Sequence, residues 1–313
     1  KRLHVADPTA RRRFLREARL QAGITHPGIC PVFAVGQAEG VPYIVMPRLR
    51  GLPLDRATED EALEQKLVLL RGVAEAVHAA HSRGLIHRDL KPSNILVERP
   101  EDGPPRPVVL DFGIARPLTG EELTASGQVM GTPSYMAPEQ VRGDTEQLDR
   151  RTDVYALGAT LYRLLAGRPP HVGKGGRLME RILRDEPPRL RPAGIPADVE
   201  AVVFKCLEKE KEHRYDSALA LAEDLRRYLE GEPVEARRIG HRVRLVKWLR
   251  RHRAAVRVAA VAAPLLVVAL AWGAWSTWKS EERQRLARRF GAQVEEVEAL
   301  VRYSHLVPLH DVR

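Results

Sequence analysis

The sequence predicts an α+β domain whose second half is mostly helical, followed by one membrane-spanning helix and a short helical tail. Apolar residues recur at three- and four-residue steps, short β-type runs alternate with loops rich in Pro and Gly, and one long uncharged run lies near the C-terminal end. Residues 8–22 place Phe14, Leu15 and Ala18 on one face and read as a helix. Residues 60–82 do the same with Leu63, Leu67, Leu70, Val73, Ala74 and Val77. Tyr43 to Met46 and Val108 to Leu110 read as strands. No internal repeat is present.

Val258 to Trp278 is a run of 21 residues without a formal charge. As a helix, at about 1.5 Å per residue, it covers roughly 30 Å, the thickness of a bilayer's hydrocarbon core. Trp272, Trp275 and Trp278 gather at one end, as interfacial anchors do, and Pro264 is tolerable with a modest kink. Residues 236–257 carry nine basic side chains and no acidic one, whereas the segment after the run mixes both signs. The richer side stays in the cytoplasm, so the part before the run is expected to be cytosolic and residues 279–313 to lie outside. In that tail Leu286, Phe290, Val294, Val297 and Val301 form the apolar stripe of an amphipathic helix.

With 313 residues and 44% apolar content, the chain is neither disordered nor collagen-like. Its net charge of +10 is local, because residues 1–235 hold 35 basic and 35 acidic side chains. Nucleic acid is therefore not an expected partner, since membrane lipid headgroups already account for a basic juxtamembrane strip. Cys30 and Cys206 are too few for a disulfide framework, and both are expected as reduced core residues. Lys1-Arg2-Leu3-His4 opens no secretory signal, and the absence of an initiating Met suggests a fragment.

Residues 87–94 read His87-Arg88-Asp89-Leu90-Lys91-Pro92-Ser93-Asn94, and Asp111-Phe112-Gly113 follows. Then come residues 131–139, ending Ala137-Pro138-Glu139, then Asp153-Val154-Tyr155-Ala156-Leu157-Gly158, then His213-Arg214-Tyr215. Over residues 1–235 the chain resembles the bacterial eukaryotic-type (Hanks-type) serine/threonine protein kinases that are membrane-anchored. The resemblance implies a bilobal kinase-like fold with residues 1–50 as a partial N-lobe, in which the Gly-rich loop strands are absent, and 51–235 as the C-lobe. Residues 236–257 would be juxtamembrane, 258–278 the transmembrane helix and 279–313 the extracytoplasmic tail.

Phosphoryl transfer asks the protein mainly to position groups and neutralise charge, which explains the residue types. The resemblance implies Asp89 as the carboxylate that directs the substrate hydroxyl, Lys91 on the transferred phosphoryl group, and Asn94 and Asp111 as Mg²⁺ ligands. It implies ATP-binding positions at Glu17, Met46, Pro47, Leu49, Leu96 and Asp111, with Glu17 pairing the ATP-binding lysine. That lysine is either Lys1 or lies a few residues upstream. His87, Phe112, Gly113, Asp153, Glu139 and Arg214 are expected to be structural, and Arg88 to receive the charge of a phosphorylated loop. Of the activation-segment hydroxyls, Thr124 and Ser126 are the expected phosphorylation sites, and Thr132 the support of Asp89 and Lys91.

Two departures from the family pattern stand out. Pro47 sits where an acidic hinge residue is common, so adenine contact would run through the Pro47 carbonyl and the Leu49 backbone. Gln21 sits where a spine Leu or Met is usual, so either Gln21 is accommodated or Leu20 takes over. The expected activity is transfer of the ATP γ-phosphoryl group to protein Ser or Thr at the bacterial inner membrane, with a homodimer allowed. The alternative is a pseudokinase scaffold.

Overall fold

Pro8 starts α1 (Pro8–Ala22) at a position where its missing N–H is not needed. The helix turns Phe14, Ala18 and Gln21 inward. The computed structural model describes residues 8–39, 41–112, 133–144 and 147–238, together with Trp272 and Trp275. Residues 8–238 fall within one unit.

After α1, β1 (Ala34–Ala38) and β2 (Val41–Val45) form an antiparallel hairpin with Ala38 opposite Val41. Glu39 takes φ 52, as the first residue of a two-residue hairpin turn requires. The second sheet has the order β3–β4–β5, from β3 (Leu52–Pro53), β4 (Ile95–Glu98) and β5 (Arg106–Val109), antiparallel throughout. Ile29 bridges Val109 in parallel, and Gly28 O and Cys30 N bond the Val109 backbone, which ties the segment after α1 to the sheet.

The expected helix over 60–82 is α3 (Leu63–His81), which follows the single turn α2 (Leu54–Ala57). Its buried stripe of Leu67, Leu70, Val73, Ala74 and Val77 packs on β5, α5 and α8. The later chain is helical, as expected: α4 (Pro138–Arg142), α5 (Arg150–Ala166), α6 (Gly175–Arg184), α7 (Ala197–Cys206) and α8 (Ala218–Leu229).

Twelve of the seventeen residues of α5 are buried, so the helix runs through the interior of the domain. Asp149 caps it by accepting from Arg151 N at 2.7 Å, and Gly167 ends it with φ 70. Gly158 is required by close packing. A Cβ there would stand 2.3 Å from Cys206 Cβ on α7. Both cysteines are free and buried.

Asp224 fastens the end of the domain. Its carboxylate accepts from Tyr215 Oη at 2.6 Å and from the backbone N–H groups of Glu235 and Ala236 at 2.7 and 2.9 Å. Among the described residues no helix is long and apolar enough to cross a membrane. The expected transmembrane helix and tail fall outside the described residues, apart from Trp272 and Trp275. Those two are helical and exposed, with ring centroids 5.5 Å apart.

Candidate active site

The segment between α3 and β4 carries the His87-to-Asn94 motif, and a buried carboxylate from α5 fixes its backbone. Asp153 Oδ2 accepts from His87 N at 2.7 Å and from His81 Nε2 at 2.7 Å, and Oδ1 accepts from Arg88 N at 2.8 Å. Burial by itself would raise the Asp153 carboxyl. The donors from His81 and His87 outweigh it and hold the group below the ordinary carboxylate range. This clamp over-determines Arg88, whose φ of 64 is rare for a residue with a side chain.

His87 is fully buried, and burial holds its pKa below the usual imidazole value. Its Nε2–H donates to the Leu110 carbonyl at 2.8 Å, which leaves Nδ1 to accept from Asp89 N at 3.3 Å. Those partners select one neutral tautomer. The ring also lies 4.7 Å from that of Phe112, tilted by 41°. The loop and the Asp111-Phe112 segment are thereby joined through one side chain.

Strand register brings the polar groups together. Ile95 pairs with Val109, so Asn94 and Leu110 meet at the same end of the β4–β5 hairpin, where Leu110 N donates to Asn94 O at 2.8 Å. Asp111 follows with φ 47, a second left-handed residue at the site. Lys91 Nζ donates to Asp89 Oδ2 at 2.8 Å, and Asn94 Nδ2 donates to Asp89 O at 2.8 Å and Oδ2 at 3.2 Å. Asp89, Lys91, Asn94 and Asp111 are all half-buried. The result is an oriented carboxylate beside a cation, with an amide and a second carboxylate at the mouth of the hairpin.

The family model for the protein kinase domain matches residues 2–225. The chain belongs to the protein kinase family. Serine/threonine-protein kinase PknB of Mycobacterium tuberculosis is 38% identical over 245 residues, covering 74% of this chain and 38% of that protein. The DNA damage-responsive serine/threonine-protein kinase RqkA of Deinococcus radiodurans is 42% identical over 223 residues, covering 68% of this chain and 32% of RqkA. The chain thus spans about a third of the length of these relatives. Among solved structures, the kinase domain of Mycobacterium tuberculosis PknI aligns with a TM-score of 0.56 at 31% identity, over 72% of this chain and 83% of that one.

In this kinase domain Glu139 and Arg214 form a buried bidentate pair, with contacts of 2.7 and 2.8 Å, and Thr152 Oγ1 adds a third bond to Glu139 at 3.0 Å. Burial would raise the Glu139 carboxyl, but the Arg214 hydrogen bonds and charge bring it below its ordinary value. Glu17 Oε1 on α1 accepts from Arg88 Nη1 at 3.0 Å. Lys1, Gly113, Thr124, Ser126 and Thr132 lie outside the described residues.

Met46, Pro47 and Leu49 follow β2 and are half-buried, as is Leu96 on β4, which pairs with Pro53. The structure decides between Gln21 and Leu20. Gln21 is fully buried and donates from Nε2 to Cys30 O at 3.1 Å, whereas Leu20 is 38% exposed. Three supporting residues escaped sequence reading. They are His81 on Asp153, Thr152 on Glu139, and Gln140, whose Nε2 donates to Arg88 O at 2.8 Å. Thr152 and Gln140 each adjoin a motif residue, a usable signal, but nothing in the sequence marks His81.

Proposed function

We propose that this chain carries the catalytic domain of a serine/threonine protein kinase that transfers the γ-phosphoryl group of ATP to protein Ser or Thr hydroxyls. The observation that carries this reading is the Asp89 carboxylate, held by Lys91 at 2.8 Å and Asn94 at 3.2 Å beside the hairpin mouth that presents Asp111. Asp89 would accept the hydrogen bond of the acceptor hydroxyl and orient its oxygen for in-line attack. Lys91 would lower the negative charge around the transferred group.

Asn94 and Asp111 suit Mg²⁺, since the pair offers an amide oxygen and a carboxylate, both hard donors. Among the described residues no group of three His, Cys, Asp or Glu side chains forms a cage for a metal. A metal completed by ATP phosphates and water needs no such cage, and when bound it supplies charge neutralisation at the phosphates. Met46, Pro47, Leu49 and Leu96 would line the adenine site, with Glu17 on the cofactor side. Pro47 has no N–H, so a donor to the base must come from the Leu49 backbone. Thr124 and Ser126 are the proposed phosphorylation sites, and Thr132 is the proposed support of Asp89 and Lys91.

The proposal extends to place. Residues 258–278 would cross the bacterial inner membrane once, with the kinase domain in the cytoplasm and the strip from Arg237 to Arg257 against anionic lipid. The 21-residue uncharged run and the one-sided basic flank support this. Membrane-linked signalling would suit that placement, with a homodimer allowed.

Incubating the full-length protein with labelled ATP and Mg²⁺ tests the activity. Label on Ser or Thr that falls at least about a hundredfold in Asp111→Asn supports it. Equal labelling would overturn the role of Asp111, and tight ATP binding without transfer would identify a binding scaffold instead.

A further inference from the structure

The charge balance of the domain hides a local excess. Between Arg168 and Arg191 there are seven basic side chains and three acidic ones, in a stretch centred on α6. Leu178 and Ile182 bury one side of this helix. Arg177, Arg181 and Arg184 are spaced four and three residues apart, so they share the side next to it; Lys174 immediately precedes the helix, and all four are exposed.

Little internal charge neutralises this ridge. Arg184 meets Glu180 at 3.3 Å, but both side chains are more than 60% exposed, so the pair contributes little. Arg189 and Arg191 are engaged by Glu200 at 3.5 and 3.3 Å. No carboxylate among the described residues lies within ion-pair reach of Lys174 or Arg177.

The ridge is also held rigidly, and in a telling place. Lys209 Nζ donates to Ile182 O at 2.7 Å in the last turn of α6 and to His171 Nε2 at 3.1 Å, and Arg181 Nη1 donates to Val172 O at 2.9 Å. On its other side α6 packs against the turn Pro133–Tyr135 and against α4, the two elements at the C-terminal end of the activation segment. From α4, Gln140 reaches directly to the Arg88 carbonyl, one residue from Asp89. The ridge is thus coupled through rigid elements to the catalytic loop.

We infer that the face formed by Lys174, Arg177, Arg181 and Arg184 is a docking surface for an acidic segment of the protein substrate, remote from the accepting hydroxyl. This rests on the kinase reading above. Charge complementarity favours that occupant, and placement beside the elements that border the catalytic loop favours a substrate over a lipid surface.

The test uses the full-length protein and Lys174→Glu/Arg177→Glu, two exposed positions whose change should leave the fold intact. The substrate probe is a peptide of residues 118–132, which holds Thr124 and Ser126, carrying either a Glu-rich or a Gln-rich tail. The Glu-rich tail should lower KM about tenfold at low salt with kcat unchanged, and the double variant should lose that gain while its KM for the Gln-tailed peptide stays the same. Fluorescence anisotropy of a labelled Glu-rich peptide reads docking without catalysis, so a protein that phosphorylates neither peptide still reports on the ridge. Equal affinity for both tails, or a double variant that keeps the gain, overturns the inference. So does a double variant that loses phosphatidylserine-vesicle binding and keeps peptide affinity.

Discussion

Arg88 donates from Nη1 to Glu17 Oε1 at 3.0 Å, so the arginine beside the central aspartate is tied to a helix 71 residues earlier in the chain. Both side chains are partly screened from water, with 24% and 13% exposed. A double-mutant cycle on Glu17→Gln and Arg88→Gln should therefore give a coupling energy of about 1–2 kcal/mol in urea unfolding. Additive losses would mean that the contact contributes nothing beyond its members.

The Glu139–Arg214 pair should prove far costlier to break. Arg214→Ala leaves a buried carboxylate without its cation and should lower stability by about 3–5 kcal/mol, read from the denaturant midpoint. Arg214→Lys should also destabilise, because an ammonium cannot reproduce the two-pronged contact. A lysine variant as stable as the parent would show that charge alone suffices.

Stability should fall in acid in two steps. Burial, then the charges of Lys209 and Arg181, hold His171 down to about 3, and burial also lowers His87. A folded-state pKa below the unfolded one means that the unfolded chain binds more protons. Stability is then complete above about pH 6.5 and declines below it, by at most about 1.4 kcal/mol per pH unit for each imidazole. Asp153 and Glu139, also depressed, add their loss below about pH 4. His171→Asn should make the slope between about pH 6 and pH 4 shallower, and an unchanged slope would count against the buried neutral imidazole.

Gly158→Ala should destabilise the helical half by about 1–3 kcal/mol, since the new methyl would stand 2.3 Å from Cys206 Cβ. Cys206→Ala does not remove the clashing Cβ, so it should not rescue the variant. Full rescue in thermal melts would show that Sγ, rather than the helix approach itself, is the obstacle.

How much of this was legible in the sequence depends on how local each signal is. The expected helix over 8–22 is α1, Pro8–Ala22, because Phe14 and Ala18 keep the helical step and Pro8 marks the start. β3 has only Leu52 and Pro53, with Leu52 55% exposed, too short for any alternation to register. At the site, Asp89, Lys91, Asn94 and Asp111 could be named from the motifs that carry the kinase resemblance. The links His81 to Asp153, Gln140 to Arg88 and Arg88 to Glu17 span 72, 52 and 71 residues, and only the packing of α1, α4 and α5 around the loop creates them. Gln21 was an anomaly in sequence, and its bond to the Cys30 carbonyl explains half of it; its Oε1 is buried without a partner.

Replacing Asp89 with Asn in the full-length protein tests the central reading most directly. The side chain keeps its shape but loses the charge that orients the acceptor hydroxyl. Transfer of label from ATP to Ser or Thr should fall by about 10²- to 10⁴-fold while the thermal melt stays close to that of the parent. An Asp89→Asn protein that labels itself and a peptide as fast as the parent would contradict the assignment of Asp89 as the carboxylate that directs phosphoryl transfer.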